Sequence, residues 1–216
     1  MSTNEFDQLR KRMVEEQIAV RGIRDPHVLA AMGSVLRHCF ILPDDLAWAY
    51  ADGPLPIGYG QTISQPFIVA LMTELLELDP TDRVLEVGSG CGYQAAVLAE
   101  LSADVHTIEF IPELAYQAEK TLAGLGYTNL HIHTGDGSLG WPGTAPYTGI
   151  LVAAAAPQVP QPLLDQLAEG GQLVIPLGSR SIQQLEVWKR IGNEFTRRVS
   201  LEVCFVPLRG KFGWNY

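Results

Sequence analysis

From Arg83 onward the chain alternates short β-branched runs with helix-period segments: RVLEVG, CGYQAAVLAEL, DVHTIEF, PELAYQAEKTLAGL, NLHIHTG, GILVAAA, PLLDQLAEG and GQLVIPLG. Strands separated by helix-length connections predict a parallel sheet with helices on both faces. The final segments, QQLEVWKRI and FTRRVSLEVCFVPL, bracket Gly192 and Asn193 and read as a closing hairpin. With 216 residues the chain can bury such a core without disulfides. Cys39, Cys91 and Cys204 lie far apart and form no metal spacing, so they read as small buried apolar groups in a reducing compartment.

The region before Arg83 reads differently. Ser2 and Glu5 form a capping box ahead of Phe6, Leu9 and Met13 at helical spacing, and Asp25 and Pro26 open a second helix. Between Tyr50 and Gln65 glycine and proline exclude a helix interior, which predicts a shaped loop. Ser64 and Pro66 then stand where a cap and a first-turn proline belong, before Phe67, Leu71, Leu75 and Leu78.

The strand VLEV runs into Gly88-Ser89-Gly90-Cys91-Gly92, a turn with glycine at alternate positions. Such a turn lets backbone approach a ligand closely. A dinucleotide site wants GxGxxG, but Tyr93 holds the place of its last glycine, which disfavours hydride transfer. Glu86, just before the turn, suits a ligand carrying ammonium and sulfonium charges. Glu109 ends the next strand, where a carboxylate accepts from two ribose hydroxyls, and Asp136 in Gly135-Asp136-Gly137 would reach an adenine amino group. Three acidic residues on successive strand ends predict an adenosyl ligand.

The acceptor follows by elimination. An exocyclic amine is usually held by an [ND]PP[YF] turn, but the fourth strand runs into Ala153-Ala154-Ala155-Ala156-Pro157. A catechol would need clustered acidic ligands for Mg²⁺, and that run has none. A carboxylate, with a free pKa of about 4, needs no general base. It needs orienting donors, which Gly60-Gln61-Thr62-Ile63-Ser64-Gln65-Pro66 offers, with Ser64 the leading contact. The residues leave open a peptide acceptor, a small-molecule acid, and a cofactor binder without turnover.

Along nearly its whole length the chain resembles protein-L-isoaspartate O-methyltransferases of the bacterial type. The resemblance rests on LPIGYGQTISQPFIVALMTELLEL, VLEVGSGCGYQAAVLAEL, GDGSLGWPGTAPY and FVPL. It implies a doubly wound, Rossmann-like class I α/β fold with extra N-terminal helices, and S-adenosylmethionine as donor without a metal. It also implies esterification of the α-carboxylate of L-isoaspartyl residues, followed by collapse to a succinimide. Ser64 and Thr62 are then the catalytic candidates, with Gln61, Ile63, Gln65 and Pro66 as substrate contacts. The cofactor candidates are Glu86, Gly88, Ser89, Gly90, Gly92, Glu109, Phe110, Asp136 and Gly137. Thr148 stands where the family usually carries Asp, and Leu36 where proline is usual.

One methyltransferase domain over 1–216 is expected: 1–80 the N-terminal helices and substrate loop, 81–180 the cofactor core, 181–216 the C-terminal strands and tail. The charged N-terminus has no apolar signal region and no run has membrane-span length, so a cytoplasmic monomer is expected. The net charge of −9 disfavours nucleic acid and leaves damaged proteins or peptides as the partners. His38 and His133 read as structural, and the tail Arg209–Tyr216 as packing back on the domain.

Overall fold

The computed structural model describes residues 2–214, so Asn215 and Tyr216 of the tail lie outside the described residues. The predicted capping box forms: Ser2 N–H donates to Glu5 Oε2 at 2.6 Å and Glu5 N–H to Ser2 Oγ at 3.4 Å, opening α1 (Thr3–Arg12). Asp25 Oδ1 accepts from His27 N–H at 2.8 Å and opens α2 (Pro26–Ser34). Both caps satisfy amides that the first helical turn leaves unpaired.

The glycine- and proline-rich segment, expected as a loop, folds into an antiparallel hairpin of β1 (Leu55–Gly58) and β2 (Gln61–Ile63). Tyr59 and Gly60 at its tip have φ of 53° and 70°. Two left-handed central residues give a turn whose twist matches that of the paired strands. The hairpin feeds α3 (Pro66–Glu74), and here one expectation fails. The helix is capped at Gln65 without a side-chain bond, so Ser64 sits one residue too early to cap it. Ser64 instead gives its backbone carbonyl to Arg37 Nη2 at 2.8 Å.

The alternating segments become β3 (Arg83–Val87), α4 (Tyr93–Ala99), β4 (Asp104–Glu109), α5 (Pro112–Gly124), β5 (Leu130–Thr134) and β6 (Tyr147–Val152). The helix read in PLLDQLAEG is shorter than expected. Only α6 (Gln161–Asp165) is helical, and β7 (Leu167–Gly178) already begins at Leu167. Leu167 pairs with Tyr147 and the register then shifts. Gly170, at φ 75°, takes a conformation this irregularity needs, so the strand starts before the apolar run does. The closing hairpin is β8 (Gln183–Ile191) and β9 (Glu194–Val203).

The sheet order is β5-β4-β3-β6-β7-β8-β9, parallel through β7 and antiparallel in β8 and β9. The winding direction reverses between β3 and β6. A crevice opens outside the carboxyl ends of two such strands because their connections leave in opposite directions. Every residue of α4 is buried, as its sequence QAAVLA permits, and Gln94 Nε2 meets its need by donating to Thr73 Oγ1 at 2.9 Å. Thr148 lies at the amino end of β6, where its hydroxyl donates to the Arg83 carbonyl at 3.0 Å, away from the crevice. The three cysteines are free, but Cys39 and Cys204 are exposed and not buried as expected, and no helix among the described residues is long and apolar enough to cross a membrane.

Candidate active site

Gly88, Gly90 and Gly92 have φ of 94°, 53° and 92°, conformations that side-chain-bearing residues rarely adopt. The turn therefore doubles back tightly at the carboxyl end of β3. Gly90 N–H donates to Glu109 Oε2 at 2.8 Å, and Ile111 N–H to Glu109 Oε1 at 3.0 Å. Each carboxylate oxygen keeps a further lone pair, and Glu109 faces a cavity shared with Gly88, Gly90, Phe110, Gly137, Gln61 and Thr62. Phe110 leaves its ring half exposed at the rim.

The remaining expected cofactor residues are placed less directly. Gly92 caps α4 and packs against Leu122, off the cavity wall. Ser89 is buried, its hydroxyl without a partner among the described residues, in a hollow behind the turn lined also by Ser64, Cys91 and Gln94. Asp136 does not reach the cavity wall. Its Oδ1 accepts from Ser138 N–H at 3.0 Å and Oγ at 2.6 Å, and its Oδ2 from Lys211 N–H at 2.8 Å. Asp136 thus ties down the tail, with a lone pair still open on Oδ2, and the neighbouring Gly137 lines the wall. The tail residues Pro207, Leu208 and Arg209 close the same cavity, a role the sequence did not reveal.

Glu86 lies fully buried beneath the turn, with the Thr107 hydroxyl donating to one oxygen and the other oxygen unpartnered. Burial pushes its pKa up to about 8, and the nearby Glu109 adds to the rise. Glu86 lines neither the donor cavity nor the acceptor cleft, so of these residues it is Glu109, with its free lone pairs on the cavity wall, that fits a ligand bringing hydroxyls. The shift has a sign that can be measured. Folded protein holds a proton on Glu86 that unfolded chain releases above about pH 4.5, so this contribution to stability is lost as pH rises through about 8. In thermal melts of the ligand-free protein, Glu86→Gln is expected to remove a downward slope in stability between pH 5 and pH 8 (~). Parallel pH profiles for the two proteins would contradict this assignment.

A second, larger cleft of about 390 Å³ lies beside the first, lined by Arg21, Pro54, Thr62, Ser64, Gln65, Phe67, Ile68 and the 201–206 segment. Thr62, Ala153 and Val206 wall both spaces. Ser64 faces the cleft, and its hydroxyl has no hydrogen-bond partner among the described residues. Its backbone is held by Arg37, a fully buried guanidinium that also donates from Nε to the Ala49 carbonyl at 2.8 Å and stacks 4.8 Å from the Tyr93 ring centroid. Gln65 Nε2 donates to Asp52 Oδ1 at 2.7 Å, and Arg21 pairs with Asp52 at 3.1 Å while lying 3.9 Å over the Phe67 ring. Arg21, Arg37 and Asp52 escaped the sequence reading, because nothing in their spacing marks them.

Three expected substrate contacts fall elsewhere. Gln61 lines the first cavity, not the cleft. Ile63 is turned into the hydrophobic core, since alternate strand residues face opposite ways. Pro66 is buried in the first turn of α3 and does not line the cleft. Neither space is lined by histidine or lysine. Cys91 is no nucleophile, because burial pushes its thiol up to about 11. His38 is spent on Tyr50, its Nδ1 lying 2.7 Å from the phenol oxygen, and stacks on Phe6.

Residues 8–213 match the family model described as Protein-L-isoaspartate(D-aspartate) O-methyltransferase. A protein-L-isoaspartate O-methyltransferase of Methanoregula boonei is 57% identical over 206 residues, 95% of each chain. One from a Picosynechococcus species is 56% identical over 203 residues, 94% of this chain and 90% of its own. Among solved structures, a protein-L-isoaspartate O-methyltransferase superposes with TM-score 0.85 at 29% identity, over 94% of this chain and 67% of that one. A Plasmodium falciparum structure of the same designation, in complex with S-adenosyl-L-homocysteine, gives TM-score 0.78 at 26% identity, over 94% of this chain and 98% of that one.

Proposed function

The chain belongs to the protein-L-isoaspartate(D-aspartate) O-methyltransferase family, and from that premise we propose how its own residues carry a methyl group from S-adenosylmethionine to the α-carboxylate of an L-isoaspartyl residue. The donor supplies an electrophilic methyl on sulfur, and the carbon–sulfur bond breaks with its electrons passing to sulfur as the carboxylate oxygen attacks. Glu109 accepts from the ribose hydroxyls while the left-handed glycines let the backbone close on the ligand. Phe110 and the Pro207–Arg209 segment cover the adenosyl group. Glu86 and Ser89 supply buried polar atoms on the far side of the turn.

The observation that carries this reading is the wall common to both spaces. Thr62, Ala153 and Val206 line both the donor cavity and the acceptor cleft, so the two spaces adjoin there, with the Ser64 hydroxyl on the acceptor side. In-line transfer needs such a narrow junction, because the enzyme's main work is to align the reactants and remove water between them. A base is not required of the cleft, since the acceptor arrives ionised. Ser64 donates to the carboxylate and fixes which oxygen faces the methyl. Arg21, half exposed at the cleft, attracts the anionic residue, and the Gly53–Gly58 edge of the hairpin accommodates an extended peptide. A backbone amide nitrogen of the substrate then loses its proton and attacks the ester carbonyl, methanol leaves, and water reopens the resulting succinimide to normal aspartate.

Matched isoaspartyl and aspartyl peptides, incubated with labelled donor, test the reading. Base-labile label is expected on the isoaspartyl peptide alone. Equal labelling of both, or none with the donor demonstrably bound, overturns it.

A further inference from the structure

The sheet carries a second chemical cluster at the opposite ends of its strands. β5 is the outermost strand, and its parallel register with β4 sets His106 beside His131 and Ile108 beside His133. Residues two apart on a strand share a face, so Asp104, His106, His131 and His133 project together. Asp104 opens β4 and Glu109 ends it. Along the strand Asp104 therefore lies about 16 Å and His106 about 10 Å from Glu109.

We propose that Asp104, His106 and His131 bind one divalent transition-metal ion of the zinc type. One ligand atom from each residue lies within 4.8 Å of the others. Asp104 Oδ1 is 3.3 Å from His106 Nε2 and 3.4 Å from His131 Nε2. A tetrahedral zinc ion with bonds of about 2.0–2.1 Å sets its ligand atoms about 3.3–3.4 Å apart, so two edges of the tetrahedron are already at the right length. The third closes by rotation of His131, whose side chain is 52% exposed.

The surroundings are built for this as well. Arg83 Nε donates to Asp104 Oδ2 at 2.7 Å, which fixes the carboxylate with Oδ1 turned to the imidazoles. His106 Nδ1 lies 2.9 Å from His133 Nε2, so with its Nδ1–H donated there, Nε2 presents a lone pair toward Asp104. Metal-ligating histidines are held in this way by a partner on the other ring nitrogen. His133 is itself fixed by stacking on Trp141, ring centroids 3.8 Å apart. Two imidazoles and one carboxylate select zinc, cobalt or nickel over Mg²⁺ and Ca²⁺, which prefer all-oxygen shells. Three protein ligands leave the fourth position to water. The nearby Arg83 charge opposes a cation, which sets the expected affinity in the micromolar range and not at that of a closed structural site.

Such an ion would clamp the outermost strand to its neighbour, and it depends on neither the donor cavity nor the peptide cleft. The test is titration of chelator-treated, full-length protein with Zn²⁺ and with Co²⁺, followed by calorimetry and visible absorption. One Zn²⁺ per chain, a raised melting temperature, and Co²⁺ bands without thiolate charge transfer are expected. Mg²⁺ should give none of these. His131→Ala and Asp104→Asn, both at solvent-accessible positions, should each weaken Zn²⁺ binding by about tenfold or more. S-adenosylhomocysteine affinity should be unchanged in both, which also verifies that they fold. Wild-type affinity in both variants, thiolate bands from Cys39 or Cys204, or no binding at millimolar Zn²⁺ would each overturn the proposal.

Discussion

Replacing Ser64 by alanine is expected to lower kcat/KM for an isoaspartyl peptide by about 10- to 100-fold while leaving the affinity for S-adenosylhomocysteine unchanged. The magnitude follows from what the hydroxyl does. A hydrogen bond to an ionised group contributes about 1.5–3 kcal/mol, and Ser64 has no competing partner to fall back on. The donor cavity excludes Ser64 from its wall, so donor binding should not register the change. Folding should survive too, because the residue neither caps α3 nor lies in the core. Equal losses in peptide turnover and donor affinity would mean that the change had disturbed the glycine turn behind Ser64.

Arg37→Ala is expected to act on stability first, by about 3–5 kcal/mol, lowering the melting temperature by roughly 10 °C for a chain of this size. Arg37 is completely buried, and its loss strips donors from two carbonyls, those of Ala49 and Ser64, while opening a space against Tyr93. Burying a guanidinium is costly in its own right, and that cost is relieved in the variant. It does not offset two unpaired carbonyls and a cavity the size of an arginine side chain. A second readout separates positioning from packing. The variant that remains folded at low temperature should lose isoaspartyl methylation beyond its loss of folded protein, because Ser64 is no longer tethered. Arg37→Lys should recover part of the stability, since one ammonium reaches only one of the two carbonyls at a time. A melting point within a degree or two of wild type would contradict this account (~).

The sheet was legible because its signal is periodic: apolar runs of strand length separated by helix-period segments leave few topologies. The capping box at Ser2 and the cap at Asp25 were legible for a local reason, since their partners lie within three residues. What failed was non-local. Ser64 looked like a cap until Arg37, far upstream, claimed its carbonyl. Asp136 read as an adenine contact alone, and its bond from Lys211 N–H, at the other end of the chain, was not visible in the sequence. Ile63 looked like a substrate contact because its neighbours are, but a strand turns alternate side chains away.

The same limit hid the most useful residues. Arg37 is charged and reads as surface, and only the fold shows it buried under the active-site strand. Val206, Pro207 and Leu208 read as the end of the closing hairpin, yet they close the donor cavity, and Val206 also lines the cleft. His131 and His133 announce a histidine pair in the sequence, but Asp104 and His106 join them only through the β4–β5 register. Thr148, a departure from the family pattern, lies at the strand ends remote from the crevice, where its hydroxyl finds a backbone partner.

A crystal structure with S-adenosylhomocysteine and an isoaspartyl peptide bound together tests the shared wall most directly. Sulfur is expected where the two spaces adjoin beside Thr62 and Ala153, with the α-carboxylate in line with it, no side chain between them, and within hydrogen-bond distance of Ser64 Oγ. A carboxylate bound elsewhere, or a Ser64 hydroxyl turned away from it in the bound complex, would contradict the account.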